Sequence, residues 1–171
     1  MKMSLKLALL LALLIGLVAL TACSDDDDDN GGTNPPPPTE DPWVGTWLST
    51  GSDVAPILVN LFAYDSVRVT MNEDNTVMLE THPAGGAWAT TNGVYTVTEA
   101  ASGDVHSVAI NYTAFEQEGI IQVIDGAPDA MWLEVVQTVP DIGATPRTPA
   151  DGFGSDPTLG VFNIQKYVRI Q

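Results

Sequence analysis

The chain is poor in cations, cysteine and histidine, and each shortage excludes something. Six lysines and arginines stand against 22 aspartates and glutamates, a formal charge of −16, so nucleic acid and anionic lipid headgroups are repelled. The lone cysteine, Cys23, leaves no partner for an intrachain disulfide. Neither histidine, His82 or His106, has ligand-type neighbours at metal-site spacing, so no metal is expected. The chain lacks a Gly-x-Ser-x-Gly elbow, a phosphate loop and a dinucleotide fingerprint. Its carboxylates are scattered in turns, and neighbours such as Glu73 and Asp74 face apart in any strand. The chain therefore reads as a non-enzyme with no catalytic residue and no cofactor. Long apolar runs are also missing: the uncharged stretch from Leu7 to Leu20 falls short of the roughly 20 residues that span a bilayer.

What is present begins at the N-terminus. Lys2 and Lys6, the apolar stretch and the small residues before Cys23 have the three-part form of a secretory signal over residues 1–22. Leu20-Thr21-Ala22-Cys23 resembles the lipobox of bacterial lipoproteins, in which the cysteine is lipidated and becomes the new N-terminus. Several acyl chains at roughly 0.8 kcal/mol per buried CH2 would hold such a protein in a leaflet. Membrane contact is thus expected through the lipid on Cys23. Ser24 follows where an aspartate would favour inner-membrane retention, so the outer membrane is the expected location. Ser24 with Asp25, Asp26 and Asp27, in a run reaching Asp29, resembles the acidic export signal of surface-displayed Bacteroidetes lipoproteins. The run is also a self-repelling, solvated spacer.

Gly31-Gly32 and Pro35 to Pro38 continue this spacer, since neither glycine nor a proline run can bury a face. Residues 23–41 read as a lipidated cysteine and a disordered stalk, and residues 42–171 as one domain with room for a core. Without Lys2 and Lys6 the chain keeps four basic side chains against 22 acidic ones, a formal charge of −18. Such a surface suits a salty medium.

Within the domain, short runs rich in Val, Ile, Thr, Tyr and Trp alternate with Gly, Asn, Asp and Pro clusters, the pattern of antiparallel β-structure. "SVRVTM" (66–71) and "TVMLET" (76–81), joined by Asn72 to Asn75, predict a half-buried hairpin. Further strands are predicted over 43–49, 93–98, 105–113, 119–124, 130–138 and 159–170, with another starting at Trp88. Between the first two strands, Asp53 is placed to cap a short helix, with Ile57, Leu58, Leu61 and Phe62 at helical spacing; a strand over 57–62 is the alternative. Residues 139–158 carry four prolines and three glycines and predict a loop longer than compact domains usually hold. "DGFGSD" within it offers oxygens to calcium, without the order of an EF-hand loop. Two three-residue patterns, Asp65-Ser66-Val67 and Asn111-Tyr112-Thr113, match glycan acceptors.

"VGTWLS" at the start of the domain and "YVRI" at its end, with "MNEDNTVMLE" and "GVYTV", resemble the lipocalin-like lipoprotein domains of Bacteroidetes, in the calycin superfamily. The resemblance implies an all-β, antiparallel up-and-down barrel of about 8–10 strands, with one short helix after the first. It also implies that Trp47 plugs one end while Arg169 packs on the indole, a structural pair gaining cation–π energy. A barrel of this size holds either its own side chains or one small ligand. Val69, Met71, Met78, Tyr95, Ile110, Tyr112 and Met131 are candidates to line a site for a small lipophilic molecule, with Val67, Val108 and Leu133 beside them; the same residues would equally fill a solid core. Two functions remain open: a monomeric lipid-anchored carrier or sensor, or a solid-cored structural or adhesive module that meets a protein or glycan through its loops.

Overall fold

A computed structural model describes residues 40–171. The predicted signal segment, Cys23, Ser24, Asp25, Asp26, Asp27 and nearly all of the stalk lie outside the described residues. Eight antiparallel strands close into one barrel in chain order: β1 (Gly45–Thr50), β2 (Tyr64–Met71), β3 (Thr76–Pro83), β4 (Ala89–Thr98), β5 (Val105–Tyr112), β6 (Phe115–Ile124), β7 (Ala130–Val139) and β8 (Ile164–Arg169). Each strand pairs with the next, and β8 returns to β1. The all-β up-and-down barrel with one short helix after the first strand is the fold the sequence implies. Closure leaves no sheet edge open.

The hairpin of β2 and β3 shows how local chemistry sets register. Asn75 takes a left-handed conformation (φ 63°), which asparagine tolerates. Asp74 accepts bonds from the Thr76 amide at 3.0 Å and hydroxyl at 2.6 Å. The turn places Met71 opposite Val77, Thr70 opposite Met78 and Arg68 opposite Glu80. Val77 therefore enters the interior, and Met78 lies on the outer face, against the expectation that it lines the lumen. The alternation of a strand allows only one of two neighbours inside.

Helix α1 (Pro56–Phe62) crosses the barrel end away from Gly45. Pro56 opens it with a φ suited to the first helical position, and Ala63 ends it in a left-handed conformation (φ 54°). Asp53 does not cap it. Val54 and Ala55 are buried and extended, carrying the chain across the barrel mouth, so Asp53 falls in a preceding 3-10 turn (Gly51–Asp53) and the helix starts later. The amide of Ala55 donates to Gln165 Oε1 at 2.7 Å, fastening this end to β8.

Other boundaries differ from expectation too, and β6 starts at Phe115 where 119 was predicted. Trp88 and residues 93–98 belong to one approach and one strand, since β4 starts at Ala89. The last strand starts at Ile164, because residues 160–163 form a 3-10 turn. The long segment before it is a strap on the outer face of the sheet. The Gly154 amide donates to Glu134 Oε2 at 2.7 Å, and Phe153 packs edge-on against Trp132 at 5.7 Å. Glu134, flanked in register by Ile120 and Ile164, is buried although it faces outward.

Burial pushes the Glu134 carboxyl above its ordinary pKa, while the Gly154 amide and Arg147 oppose that shift. A folded pKa above the unfolded one means that the native state holds this proton more tightly; the resulting stability is present below the unfolded pKa and is lost as pH rises through the folded value. Replacing the ionised carboxylate by a neutral isostere relieves that loss. Glu134→Gln should therefore be stabilising relative to wild type where the carboxyl is ionised, with the difference shrinking as pH falls through the raised folded pKa. Urea midpoints of the two proteins across this range measure it, and a difference that does not change with pH contradicts the assignment.

Candidate functional site

Three regions bear on function: the interior, the end of the barrel where β1 starts, and the outer face of β1 to β3.

The interior is filled. Trp47, Ile121 and Met131 expose none of their surface, and Val69, Met71, Tyr95, Ile110 and Tyr112 expose 3% or less. With Val67, Val77, Val108, Leu133 and Tyr167 they make one continuous apolar cluster. A lumen wide enough for a lipid would show its walls to a water-sized probe, and these walls show almost nothing. Burial alone lifts the Tyr112 phenol far above its usual pKa, and does the same at Tyr167 with Tyr112 adding a smaller push. Six of the seven candidate lumen residues thus face inward as core side chains, and Met78 faces out.

At the end where β1 starts, the structure brings Trp47 and Arg169 together. They are register partners across the seam of the barrel, and the guanidinium carbon lies 4.2 Å from the indole centroid. The same guanidinium donates to Asp129 at 3.0 Å and to the carbonyls of Val44 and Pro42. Trp47 Nε1 donates to the Trp43 carbonyl at 2.8 Å, so residues 42–44 are folded under the barrel as a plug. Gly45 makes room: at φ 140°, a Cβ there would meet Arg169 Nη1 at 2.5 Å and the Gln171 carbonyl at 2.7 Å. The Gly126 amide and Arg169 hold the Asp129 carboxyl below its usual range. This cluster fastens the fold and leaves no donor for a ligand.

The outer face of β1 to β3 carries a groove of about 940 Å3, lined by Thr46, Thr70, Met78, Arg68 and Glu80 and, at its lower end, by Asn72, Glu73 and Asp74. Arg68 grips Glu80 through two bonds of 2.6 and 2.7 Å, and this pairing raises the one pKa and lowers the other. Arg68 also lies 5.1 Å from the ring centroid of Trp88, which is 42% exposed. The imidazole of His82 is 5.1 Å from the same indole and bonds Asp65 through Nδ1 at 2.7 Å. That bond holds the Asp65 carboxyl below its usual range. Arg68, Glu80, His82 and Trp88 were not singled out from sequence as binding residues; His82 entered only as a histidine without metal-site spacing and Trp88 only as the start of a strand.

Among the described residues every basic side chain is engaged. Arg68, Arg147 and Arg169 pair with Glu80, Asp156 and Asp129, and Lys166 lies 4.9 Å from the centroid of Trp132. Among the same residues, no group of three or more His, Cys, Asp or Glu side chains is placed to hold a metal ion; the calcium candidate at Asp151 and Asp156 instead caps its own loop through Thr148 and Leu159. Comparison with protein-family models, with curated proteins and with solved structures found no match.

The clamp generates a direct expectation. Arg169→Ala removes a cation–π contact and three hydrogen bonds at a half-buried site, and should cost about 2–4 kcal/mol. Arg169→Lys should recover only a minor part, because an ammonium lacks the planar fork. Denaturant midpoints check both; a loss below about 0.5 kcal/mol for Arg169→Ala would show that the seam does not need it.

Proposed function

We propose that this chain is a lipid-anchored lipoprotein of the bacterial outer membrane, displayed on the cell surface, whose barrel is a non-catalytic, solid-cored module that recognises a partner through its outer face. The observation that carries the outward reading is the filled interior: with Met71 and Met131 buried among aromatic neighbours, the space a carried lipid needs is occupied by the protein itself. The lipid-anchor reading rests on Leu20 to Cys23 and on the aspartate run after it. Kinship with lipocalin-like lipoprotein domains is supported by Gly45, Trp47 and Arg169, whose positions suit the plug and clamp that this resemblance implies.

The surface charge is consistent with a partner that is not a polyanion. Three of the four basic side chains among the described residues are paired with carboxylates, and the acidic excess of the chain repels phosphate. Cys23→Ala should move the protein from the membrane pellet to the soluble fraction. Deleting Asp25 to Asp29 should leave it membrane-bound but protected from protease added to whole cells. Sedimentation with membranes despite Cys23→Ala would remove the anchor; unchanged cleavage on whole cells would remove the export role of the aspartates.

A further inference from the structure

We propose that the groove on the outer face of β1, β2 and β3 binds a neutral oligosaccharide, with the Arg68–Glu80 pair as its hydrogen-bonding floor and Trp88, which adjoins Arg68 just beyond the groove lining, as a stacking platform. This deepens the outward-binding reading above and rests on it.

Shape is the first support. Successive outward residues Arg68, Thr70 and Asn72 line the groove, a span of about 13 Å at ~3.3 Å per residue. That length suits an extended chain of small rings. The floor is polar along its course, with the Thr46 and Thr70 hydroxyls 3.3 Å apart and the Arg68 fork beyond them. Apolar surface from Val44, Met78 and Ile170 lies beside these polar groups. A lipid tail would leave these groups unpaired, whereas sugar hydroxyls can both donate to Glu80 and accept from Arg68.

Preorganisation is the second. Glu80 locks Arg68 and Asp65 locks His82, so the guanidinium over the Trp88 ring and the imidazole tilted against it hold the partly exposed indole in a fixed position before any ligand arrives. Little conformational freedom is then lost on binding. The C–H face of a sugar ring covers apolar area when laid on an indole, and its equatorial hydroxyls reach the flanking fork.

Charge and topology narrow the occupant. Arg68 is neutralised by Glu80, and the other charged side chains of the groove, Glu40, Glu73 and Asp74, are all carboxylates, so an anionic polymer is disfavoured. A peptide adding itself as a strand needs an open sheet edge, and the closed barrel has none.

The test uses the full-length lipidated chain in detergent micelles, titrated with neutral oligosaccharides of the β-glucan, α-glucan, xylan and mannan types, and read by tryptophan emission and calorimetry. Saturable binding to at least one series is expected. It should weaken at least tenfold in Trp88→Ala and in Glu80→Gln, and stay unchanged in Val161→Ser, an exposed site outside the groove. Trp88 lies in the connection before β4 and is partly exposed, so its loss should leave the melting temperature near wild type. Absence of binding across the panel, or binding indifferent to Trp88→Ala, overturns the proposal. Binding of an unstructured peptide instead also overturns it, while leaving the outward-binding reading intact; a lipid retained within the barrel would sink both.

Discussion

The guanidinium of Arg169 laid over Trp47 is the contact on which the rest depends. Five of the eight strand pairings are hairpins closed by short turns, and two more join sequential strands through α1 and through the strap before β8. The eighth joins the two ends of the barrel sequence and has no turn to help it. Its register covers only Trp47 opposite Arg169 and Leu48 opposite Val168, extended by backbone bonds between Thr46 and the Ile170 and Gln171 positions. Bringing ends so distant in sequence together costs loop-closure entropy, and the fork of Arg169 supplies a multivalent fastening at that point. Gly45 and the plug of residues 42–44 follow from it, one by leaving space and the others by offering carbonyls.

Closure by large side chains then decides what the barrel can do. An indole at one end, Val54, Ala55 and α1 at the other, and Tyr95, Tyr112, Tyr167, Met71 and Met131 between them leave the interior dry and full. The strap of residues 140–159 extends packing to the outside of β7, where it covers Glu134. Recognition is thereby moved to the outer face. Arg68, Glu80 and His82 gather there on strands whose interior-facing residues, Val67, Val69 and Val77, are fixed in the core, and Trp88 joins them from the connection before β4.

Much of this fold is legible in the residues. Alternation in 66–71 and the Asn/Asp turn mark strands and hairpin, and the packing of Arg169 on Trp47 was implied by the resemblance that "VGTWLS" and "YVRI" carry. Met78 shows where composition misleads: a methionine in a β-run looks like core. The turn at 72–75 makes paired numbers sum to 148, which sends Met78 to Thr70 and Val77 to Met71. The same sum pairs Arg68 with Glu80, so the floor of the groove was readable once register was known. Trp88 was not, because residues 84–88 form a connection between β3 and β4 and their approach to Arg68 depends on tertiary geometry. Asp53 failed as a cap for a related reason. The need to cross the barrel mouth with Val54 and Ala55 overrode a local capping preference.

The central claim is that this barrel is solid, and native mass spectrometry of residues 41–171 after incubation with a lipid extract of the source cells tests it most directly. A bare protein mass at every lipid concentration is the predicted result. An adduct of lipid mass that survives desolvation, and that disappears when Tyr95→Trp takes up interior space, would contradict it and return function to the lumen.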